Sequence, residues 1–230
     1  MGWMRDETGL GKRAANYVPL TPLSHLQRAA LVFAKREAVV YGETRMTYEK
    51  YYRRVTRLAS ALAKMGVQPG DVVSTILPNI PAQAEAAFGV PACGAVLNTI
   101  NTRLDVDTVA YIFDHGEAKV VLVDSQFMPL AMAAVDLMDG TPPVIIEVPD
   151  DQAGVPAMSD HQNYEDFLLL GDPEFAWILP QDEWESLALN YTSGTTGRSK
   201  GAMLSQNNLL SNADTLVELW KFTEKDVLLH

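Results

Sequence analysis

The amino-acid sequence predicts an α/β fold, in which a mainly parallel β-sheet is flanked by helices. Short apolar runs rich in β-branched residues, such as Val120-Val-Leu-Val123, are typical of buried strands. Between these runs lie longer stretches whose apolar residues recur every three or four positions, which is typical of amphipathic helices. Strands that alternate with helices in this way usually form parallel sheets, because each helix crosses from one strand to the next.

Local signals place the boundaries of most elements before residue 150. Pro19 and Pro22 disfavour helix in the residues before them, which predicts an extended arm over residues 1–22. Thr47 is a favourable N-cap for a long helix that Gly66 ends, and Asp105 opens another helix. The predicted elements are helix 23–33, hairpin 37–46, helix 47–65, strand 72–77, helix 81–92, strand 95–99, helix 105–116, strand 120–123, a helix that ends at 138, and strand 144–146.

The segment 148–180 has a different composition, because it is rich in Asp and Glu and poor in β-branched residues. We predict that it is a surface excursion with one helix near 164–170, and that it marks a subdomain boundary. Regular structure is then predicted to resume with strand 186–191 and strand 202–204. Ser205 is the predicted N-cap of a final helix that ends near Trp220.

Composition excludes several classes of function. With 18 basic and 29 acidic residues the formal net charge is 18 − 29 = −11, which argues against nonspecific binding to nucleic acid or to an anionic membrane. Apolar stretches are too short or too interrupted for a transmembrane helix. The single cysteine, Cys93, excludes an intrachain disulfide, and we expect it to be a small buried residue in a cytoplasmic protein.

A loop rich in glycine and hydroxyl groups connects the two predicted strands after residue 185. Glycines allow the backbone to approach a ligand closely, successive N–H groups can converge on an anion, and Lys200 adds a compact positive charge. This pattern predicts a nucleotide-phosphate-binding loop. Its candidate phosphate-binding residues are Thr192, Ser193, Gly194, Thr195, Thr196, Gly197 and Lys200.

Two other interpretations of the loop fit less well. A Walker A motif requires Gly, four residues and then Gly-Lys-Ser/Thr, whereas here Ser199 lies five positions after Gly194 and Gly201 follows the lysine. A flexible linker would not need a buried strand on each side. Scattered histidines lack the spacing of metal ligands, and we expect them to be structural.

The run from Tyr191 to Gly201 closely resembles the phosphate-binding signature of the adenylate-forming, or AMP-binding, superfamily. It departs from that signature at Ser199, where proline is usual, and at Gln206, where histidine is common. Other runs resemble the acyl-CoA synthetase branch, and in detail ligases for short, medium or branched acids, including methylmercaptopropionate-CoA ligases. These runs are residues 18–24, 77–81, 94–104 and 111–118.

The resemblance implies an ATP-dependent carboxylate–CoA ligase that forms an acyl-AMP intermediate and then an acyl-CoA. ATP, a small carboxylic acid and coenzyme A are the implied substrates, with magnesium as cofactor. The resemblance further implies that Thr192 contacts the magnesium ion, and that Thr195, Thr196 and Lys200 contact the β- and γ-phosphates. No residue of the chain is assigned a direct catalytic role.

The resemblance covers part of the N-terminal AMP-binding domain of that superfamily. The adenine, ribose and coenzyme A contacts and the mobile C-terminal domain would lie beyond residue 230, so we expect the 230-residue chain to be inactive as a ligase on its own. Apolar residues of helix 206–220 predict self-association into homo-oligomers. Two alternatives stay open, namely another adenylate-forming enzyme such as a peptide-synthetase adenylation domain, and a non-catalytic binding or assembly protein.

Overall fold

The structure is a computed structural model, and it describes residues 11–158, 160–192 and 198–229. Seven α-helices occur in these ranges, and they are α1 (Leu23–Val32), α2 (Tyr48–Lys64), α3 (Pro81–Ala92), α4 (Val106–His115), α5 (Met128–Asp136), α6 (Tyr164–Leu169) and α7 (Gln206–Trp220). The strands are β1 (Glu37–Tyr41), β2 (Thr44–Thr47), β3 (Val72–Ile76), β4 (Val96–Thr99), β5 (Ala118–Asp124), β6 (Val144–Val148), β7 (Gln162–Asn163), β8 (Ser186–Thr192) and β9 (Lys200–Ser205).

Seven of the strands form one sheet in the order β7-β6-β5-β3-β4-β8-β9, and β1 and β2 form a separate antiparallel hairpin. Every neighbouring pair in the large sheet is parallel except β8 and β9, which are antiparallel. The predicted α/β fold with a mainly parallel sheet is therefore confirmed. Chain order reverses at β3, which lies between β4 and β5 in the sheet.

Side-chain caps fix the start of the long helices, as the sequence predicts. The Thr47 side chain accepts a hydrogen bond from the backbone N–H of Lys50, and Asp105 accepts one from Thr108. At the start of α7 the side chain of Ser205 and the side chain of Asn208 each bond to the other's backbone N–H. Such caps satisfy donors that the first helical turn leaves unpaired.

Helices cover both faces of the sheet and bury two apolar clusters. One cluster joins α1, α2, α3 and α6 to one face, through residues such as Leu58, Leu62 and Leu122, none of which is exposed to solvent. The other joins α4 and α5 to the opposite face, around Phe113 and Val121. Successive residues of β5 from Val120 to Val123 belong to the two clusters in turn, because side chains of a strand alternate between its two faces.

The helix predicted near 164–170 is confirmed as α6, but the prediction that residues 148–180 form a surface excursion is wrong. Strand β7 extends the sheet beside β6, and α6 buries Tyr164 and Phe167 in the apolar cluster. Further along, Trp177 stacks on Tyr52 with ring centroids 4.8 Å apart, and its Nε1 donates to Thr56 Oγ1 at 3.0 Å. The many acidic side chains of this segment obscured the few apolar positions that anchor its second half in the core.

A network of charged groups ties α6 to α2 and α3. The Arg54 guanidinium donates to Glu85 through Nε and Nη2, and to Glu165 through Nη1 and Nη2. Tyr164 donates its hydroxyl proton to Glu85 Oε2 at 2.7 Å. Burial raises the pKa of Glu85 against the opposing effect of the guanidinium.

The chain before α1 and the C-terminal half of α7 contact the rest of the fold differently. Thr21 is buried, and its hydroxyl donates to Gln206 Oε1 at 2.7 Å, which joins residues before α1 to the start of α7. In contrast, Leu219 and Trp220 at the end of α7 are 69% and 61% exposed. Within the described ranges, every helix is too short or too polar to cross a bilayer.

Candidate functional site

The predicted phosphate-binding loop lies between β8 and β9, at the edge of the large sheet. Strand β8 is parallel to β4 and ends at Thr192, so the loop begins at the same edge where β3, β4 and β5 end. In open α/β sheets, ligands bind outside the carboxyl ends of the parallel strands. The fold therefore places the loop at the edge where a nucleotide site is expected.

Two of the predicted site residues, Thr192 and Lys200, lie within the described residues. They face each other as the last pair of the β8–β9 ladder, and both are exposed to solvent. The Thr192 hydroxyl donates a long hydrogen bond of 3.5 Å to the backbone carbonyl oxygen of Lys200, at the weak end of the usual range. The remaining predicted residues lie outside the described residues, and they are Ser193, Gly194, Thr195, Thr196 and Gly197.

Three rings from α4 and β8 support the start of the loop. Tyr111 and His115 are four positions apart on α4, so they share one face of the helix, and their ring centroids are 5.2 Å apart. Tyr191, the residue before Thr192, packs edge-on against both rings at centroid distances of 6.3 Å and 5.7 Å. Its hydroxyl oxygen lies 2.7 Å from His115 Nδ1.

The state of this tyrosine follows from its surroundings. Partial burial, with a smaller contribution from Tyr111, raises the pKa of Tyr191. The phenol therefore keeps its proton at neutral pH, and its hydroxyl shares a hydrogen bond with Nδ1 of His115. This hydrogen bond links the residue that precedes the loop to the last turn of α4.

The end of the loop is held by the same helix. The Tyr111 hydroxyl donates to the backbone carbonyl oxygen of Ser199 at 3.2 Å, and the Arg198 guanidinium carbon lies 5.2 Å from the centre of the Tyr111 ring. A guanidinium within about 6 Å of an aromatic face is attracted by the ring electrons. One side chain of α4 thus contacts both residues that precede Lys200.

Gly201 allows β9 to pass close to β8. A Cβ atom built on Gly201 would lie 2.9 Å from Leu189 Cδ1 and 3.4 Å from Tyr191 Cζ. Any larger residue would displace one of these side chains or the strand. The close packing of β9 on β8 therefore explains why a glycine occupies position 201, in addition to any role that it has in ligand binding.

Charge at the site differs from the charge of the whole chain. Arg198 and Lys200 are both exposed beside the loop, in a chain whose formal net charge is −11. Across the described residues, His, Cys, Asp and Glu form no group of three that could hold a metal ion. Cys93 is fully buried, as expected, and burial raises the pKa of its thiol to about 11, so it is not a nucleophile for this site.

Sequence reasoning missed the support that α4 provides. His115 is one of the histidines predicted to be structural, and neither Tyr111 nor Arg198 is among the predicted site residues. The spacing of Tyr111 and His115 on one helix face was visible in the sequence. Their contact with Tyr191 depends on how α4 packs against β8, which the sequence does not specify.

A cavity of about 780 Å³ lies away from the loop, next to the carboxyl ends of β3 and β6. Its lining includes Arg54, Glu85 and Glu165, which pair with one another as described above. Tyr41 and Asp150 also line it, and the Tyr41 hydroxyl donates to Asp150 Oδ2 at 2.7 Å. Because these polar groups already have partners within the protein, we assign no ligand to this cavity.

Comparison with known proteins gives a consistent result. Residues 26–230 match the family described as AMP-binding enzyme. The chain is 44% identical over 211 residues to an acetate/butyrate–CoA ligase, AAE7, of Arabidopsis thaliana, named as peroxisomal, with 87% of this chain and 37% of the relative covered. It is 40% identical over 235 residues to a peroxisomal trans-cinnamate:CoA ligase of Petunia hybrida, with 96% and 41% covered.

Among solved structures, ATP-bound MatB from Rhodopseudomonas palustris superimposes with a TM-score of 0.75 at 28% identity. The matched region covers 90% of this chain and 39% of MatB. The chain thus spans about two fifths of the length of the curated relatives and solved structures that it matches.

Proposed function

Because the chain belongs to the AMP-binding enzyme family, we propose that it is the N-terminal part of an ATP-dependent carboxylate–CoA ligase. The observation that carries the proposal is the loop between Tyr191 and Gly201, which has the family's phosphate-binding pattern and begins at the carboxyl edge of the parallel sheet. Relatives named as ligases of coenzyme A with acetate, butyrate or cinnamate support the same reaction class.

The proposed reaction has two steps. A carboxylate oxygen of the acid attacks the α-phosphorus of ATP, and the bond from that phosphorus to the bridging oxygen breaks, which gives acyl-AMP and pyrophosphate. The thiol sulfur of coenzyme A then attacks the acyl carbon, the thiol proton is lost, and the bond from the acyl carbon to the AMP oxygen breaks. The products are an acyl-CoA and AMP.

In this proposal the loop binds the β- and γ-phosphates and orients the pyrophosphate as leaving group. Lys200 places a positive charge next to the oxygens that gain negative charge as the bond breaks. Backbone N–H groups and hydroxyls of Ser193, Gly194, Thr195, Thr196 and Gly197 are the proposed donors to those oxygens. Their contribution would be positioning and charge stabilisation, since none of them forms a covalent intermediate.

Magnesium is part of the proposal as a cofactor. Mg²⁺ prefers oxygen ligands and usually retains waters and phosphate oxygens in its shell. Thr192 fits this chemistry, because it is exposed at the end of β8 and its hydroxyl makes only a long hydrogen bond, of 3.5 Å, to the described residue Lys200. A bound magnesium ion would neutralise phosphate charge, while Thr192 would supply one oxygen ligand.

ATP–pyrophosphate exchange is the decisive assay for this function. The natural polypeptide that carries this sequence is incubated with ATP, magnesium, labelled pyrophosphate and one acid at a time, including acetate, butyrate, 2-methylpropanoate and cinnamate. We expect exchange with at least one of these acids and formation of its CoA thioester. Exchange with amino acids alone would favour a peptide-synthetase adenylation domain, and a protein that neither binds ATP nor exchanges pyrophosphate would favour a non-catalytic protein. The 230-residue chain, assayed alongside, is expected to form no acyl-CoA.

A matched pair of lysine variants tests the loop. Lys200→Met removes the proposed phosphate contact, whereas Lys35→Met removes an exposed lysine in the connection after α1. A hydrogen bond to a charged group contributes about 1.5–3 kcal/mol, so we expect Lys200→Met to weaken ATP binding by roughly tenfold or more. Equal ATP affinities of the two variants would argue against a phosphate-binding role for Lys200.

The proposal includes two further properties. Self-association would use the exposed apolar end of α7, where Leu219 and Trp220 lie, because such surfaces favour contact with another apolar surface. We expect Trp220→Ser to lower the apparent mass in sedimentation at high protein concentration, and a wild-type monomer at every concentration would contradict it. A cytoplasmic location stays a prediction from the single cysteine, although several relatives are named as peroxisomal.

A further inference from the structure

We propose that Tyr111 is a positioning residue for the phosphate-binding loop, because it holds both ends of the loop against α4. This inference rests on the proposed function of the loop and deepens it. Tyr111 lies outside the Tyr191–Gly201 run, and its side chain contacts residues on both sides of the predicted phosphate-binding residues.

The first step of the argument concerns the end of the loop. Backbone pairing between β8 and β9 fixes the chain only from Lys200 onward, where Lys200 pairs with Thr192. The hydrogen bond from the Tyr111 hydroxyl to the carbonyl oxygen of Ser199 extends this fixation by one residue. The cation–π contact between the Arg198 guanidinium and the Tyr111 ring extends it by another.

The second step concerns the start of the loop. Tyr191 packs its ring edge-on against the ring of Tyr111, and its hydroxyl is bonded to His115 one helical turn later. The Tyr111 side chain therefore contacts both the strand that leads into the loop and the segment that leads out of it. A change at Tyr111 alters both ends at once, which a change at Ser199 or Tyr191 does not.

The third step links this geometry to nucleotide binding. Donors that bind phosphate are effective only when they are held close to their productive positions before the ligand arrives. The loop's proposed donors lie between the two segments that Tyr111 holds. Loss of the Tyr111 contacts should therefore weaken ATP binding without removing any group that touches ATP.

Three variants of the full natural chain separate these contacts. Tyr111→Phe removes the hydroxyl and its bond to Ser199 but keeps the ring, whereas Tyr111→Leu also removes the surface on which Arg198 stacks. Tyr51→Phe is the matched control, because it loses a hydroxyl-to-carbonyl hydrogen bond of 2.6 Å, to Ala84 in α3, away from the loop. All three are compared with wild type in thermal unfolding.

Two measurements follow on each variant. Trypsin cleavage after Arg198, without nucleotide and quantified by mass spectrometry, reports how firmly the end of the loop is held. Binding of ATP in the presence of magnesium, measured by calorimetry, reports the functional effect. Loss of one hydrogen bond predicts, for Tyr111→Phe, cleavage that is about threefold to tenfold faster and ATP affinity that is weaker by a similar factor. Tyr111→Leu should show larger effects, and Tyr51→Phe should change neither.

The outcomes distinguish this inference from the proposed function. If wild type binds ATP and Tyr111→Phe matches wild type in both measurements, the positioning role is overturned and the proposed function stands. If Tyr51→Phe changes ATP affinity as much as Tyr111→Phe does, the effect is general stability, and the positioning role is again overturned. If wild type does not bind ATP at all, the proposed function fails, and the positioning role fails with it whatever the cleavage rates.

Discussion

The two carboxylates that share Arg54 should differ widely in their contribution to stability. Glu85, on α3, has a side chain with no exposure to solvent, whereas the side chain of Glu165, on α6, is 63% exposed. Both bind the same guanidinium, with shortest distances of 2.5 Å in each case. Replacement of each by glutamine keeps the shape and removes the charge, so the two variants compare burial at equal geometry.

The structure allows an estimate of each effect. Loss of one partner from a buried ion pair costs about 3–5 kcal/mol, because the other charge stays buried. For Glu85→Gln we expect the lower end, about 3 kcal/mol, since Arg54 is 22% exposed and retains Glu165. The exposed pair is worth less than about 1 kcal/mol, which is the expected loss for Glu165→Gln.

Urea unfolding followed by far-ultraviolet circular dichroism measures both losses, and thermal unfolding checks them. In a chain of this size, a loss of about 3 kcal/mol lowers the unfolding midpoint by roughly 6–12 °C. Tyr164→Phe is a useful third variant, because it removes only the hydroxyl that donates to Glu85 and should lower stability by about 1 kcal/mol. Equal losses for Glu85→Gln and Glu165→Gln would refute the argument that burial decides the value of these contacts.

Three more predictions test other parts of the fold. The Arg54 guanidinium lowers the pKa of Glu165 below its ordinary value of 4.5. The Glu165 carboxylate therefore adds stability above pH 4.5, and this stability is lost as the pH falls through the folded-state pKa. Glu165→Gln should flatten the acid side of the curve of unfolding free energy against pH. Gly171→Ala should cost about 1–3 kcal/mol in urea unfolding, because its Cβ would collide with the backbone of Arg57, whereas Gly11→Ala, with open space around it, should be neutral. Cys93, whose pKa is raised to about 11, should resist alkylation at pH 8 until urea unfolds the chain, and rapid alkylation of the folded protein would contradict its burial.

Most of the fold could be predicted from the sequence, because its signals are local. Capping side chains at Thr47 and Asp105 mark helix starts within one residue of those observed. Apolar runs identify β3 and β5, although β5 is longer than predicted because Ala118 and Asp124 also pair in the sheet. These features depend on residues near one another in the chain, and the structure only confirms them.

The error over residues 148–180 has a different cause. The short strand β7 has two residues and no apolar signal, so its pairing with β6 depends entirely on the surrounding fold. The helix α6 carries Glu165 and Asp166 in its first turn, which favour a helix start and also give the segment an exposed appearance. What holds it inside is Tyr164 and Phe167, and the partner that makes burial of the tyrosine hydroxyl possible, Glu85, lies 79 residues away.

The candidate site shows the same division between local and distant information. Thr192 and Lys200 could be predicted as site residues because the phosphate-binding pattern is contiguous in sequence. Tyr111 was missed as a site residue because its connection to Ser199 spans 88 residues and is made through a backbone carbonyl, which carries no sequence signature. Every residue type has a backbone carbonyl, so the identity of residue 199 gives no sign that a side chain donates to it.

The negative charge of the chain makes this support more consequential. With a net charge of −11 there is no long-range attraction for ATP, so the ATP binding that we propose would depend on donors and cations held at short range. Within the described residues beside the loop, Arg198 and Lys200 provide that charge, and both are exposed. Fixing a solvent-exposed side chain on a ligand lowers its conformational entropy, and this loss opposes binding. The cation–π contact with Tyr111 restricts Arg198 before any ligand binds, and pairing with Thr192 restricts the backbone of Lys200. The antiparallel pair β8–β9 and the helix α4 together therefore reduce the cost of assembling positive charge at one edge of an acidic protein.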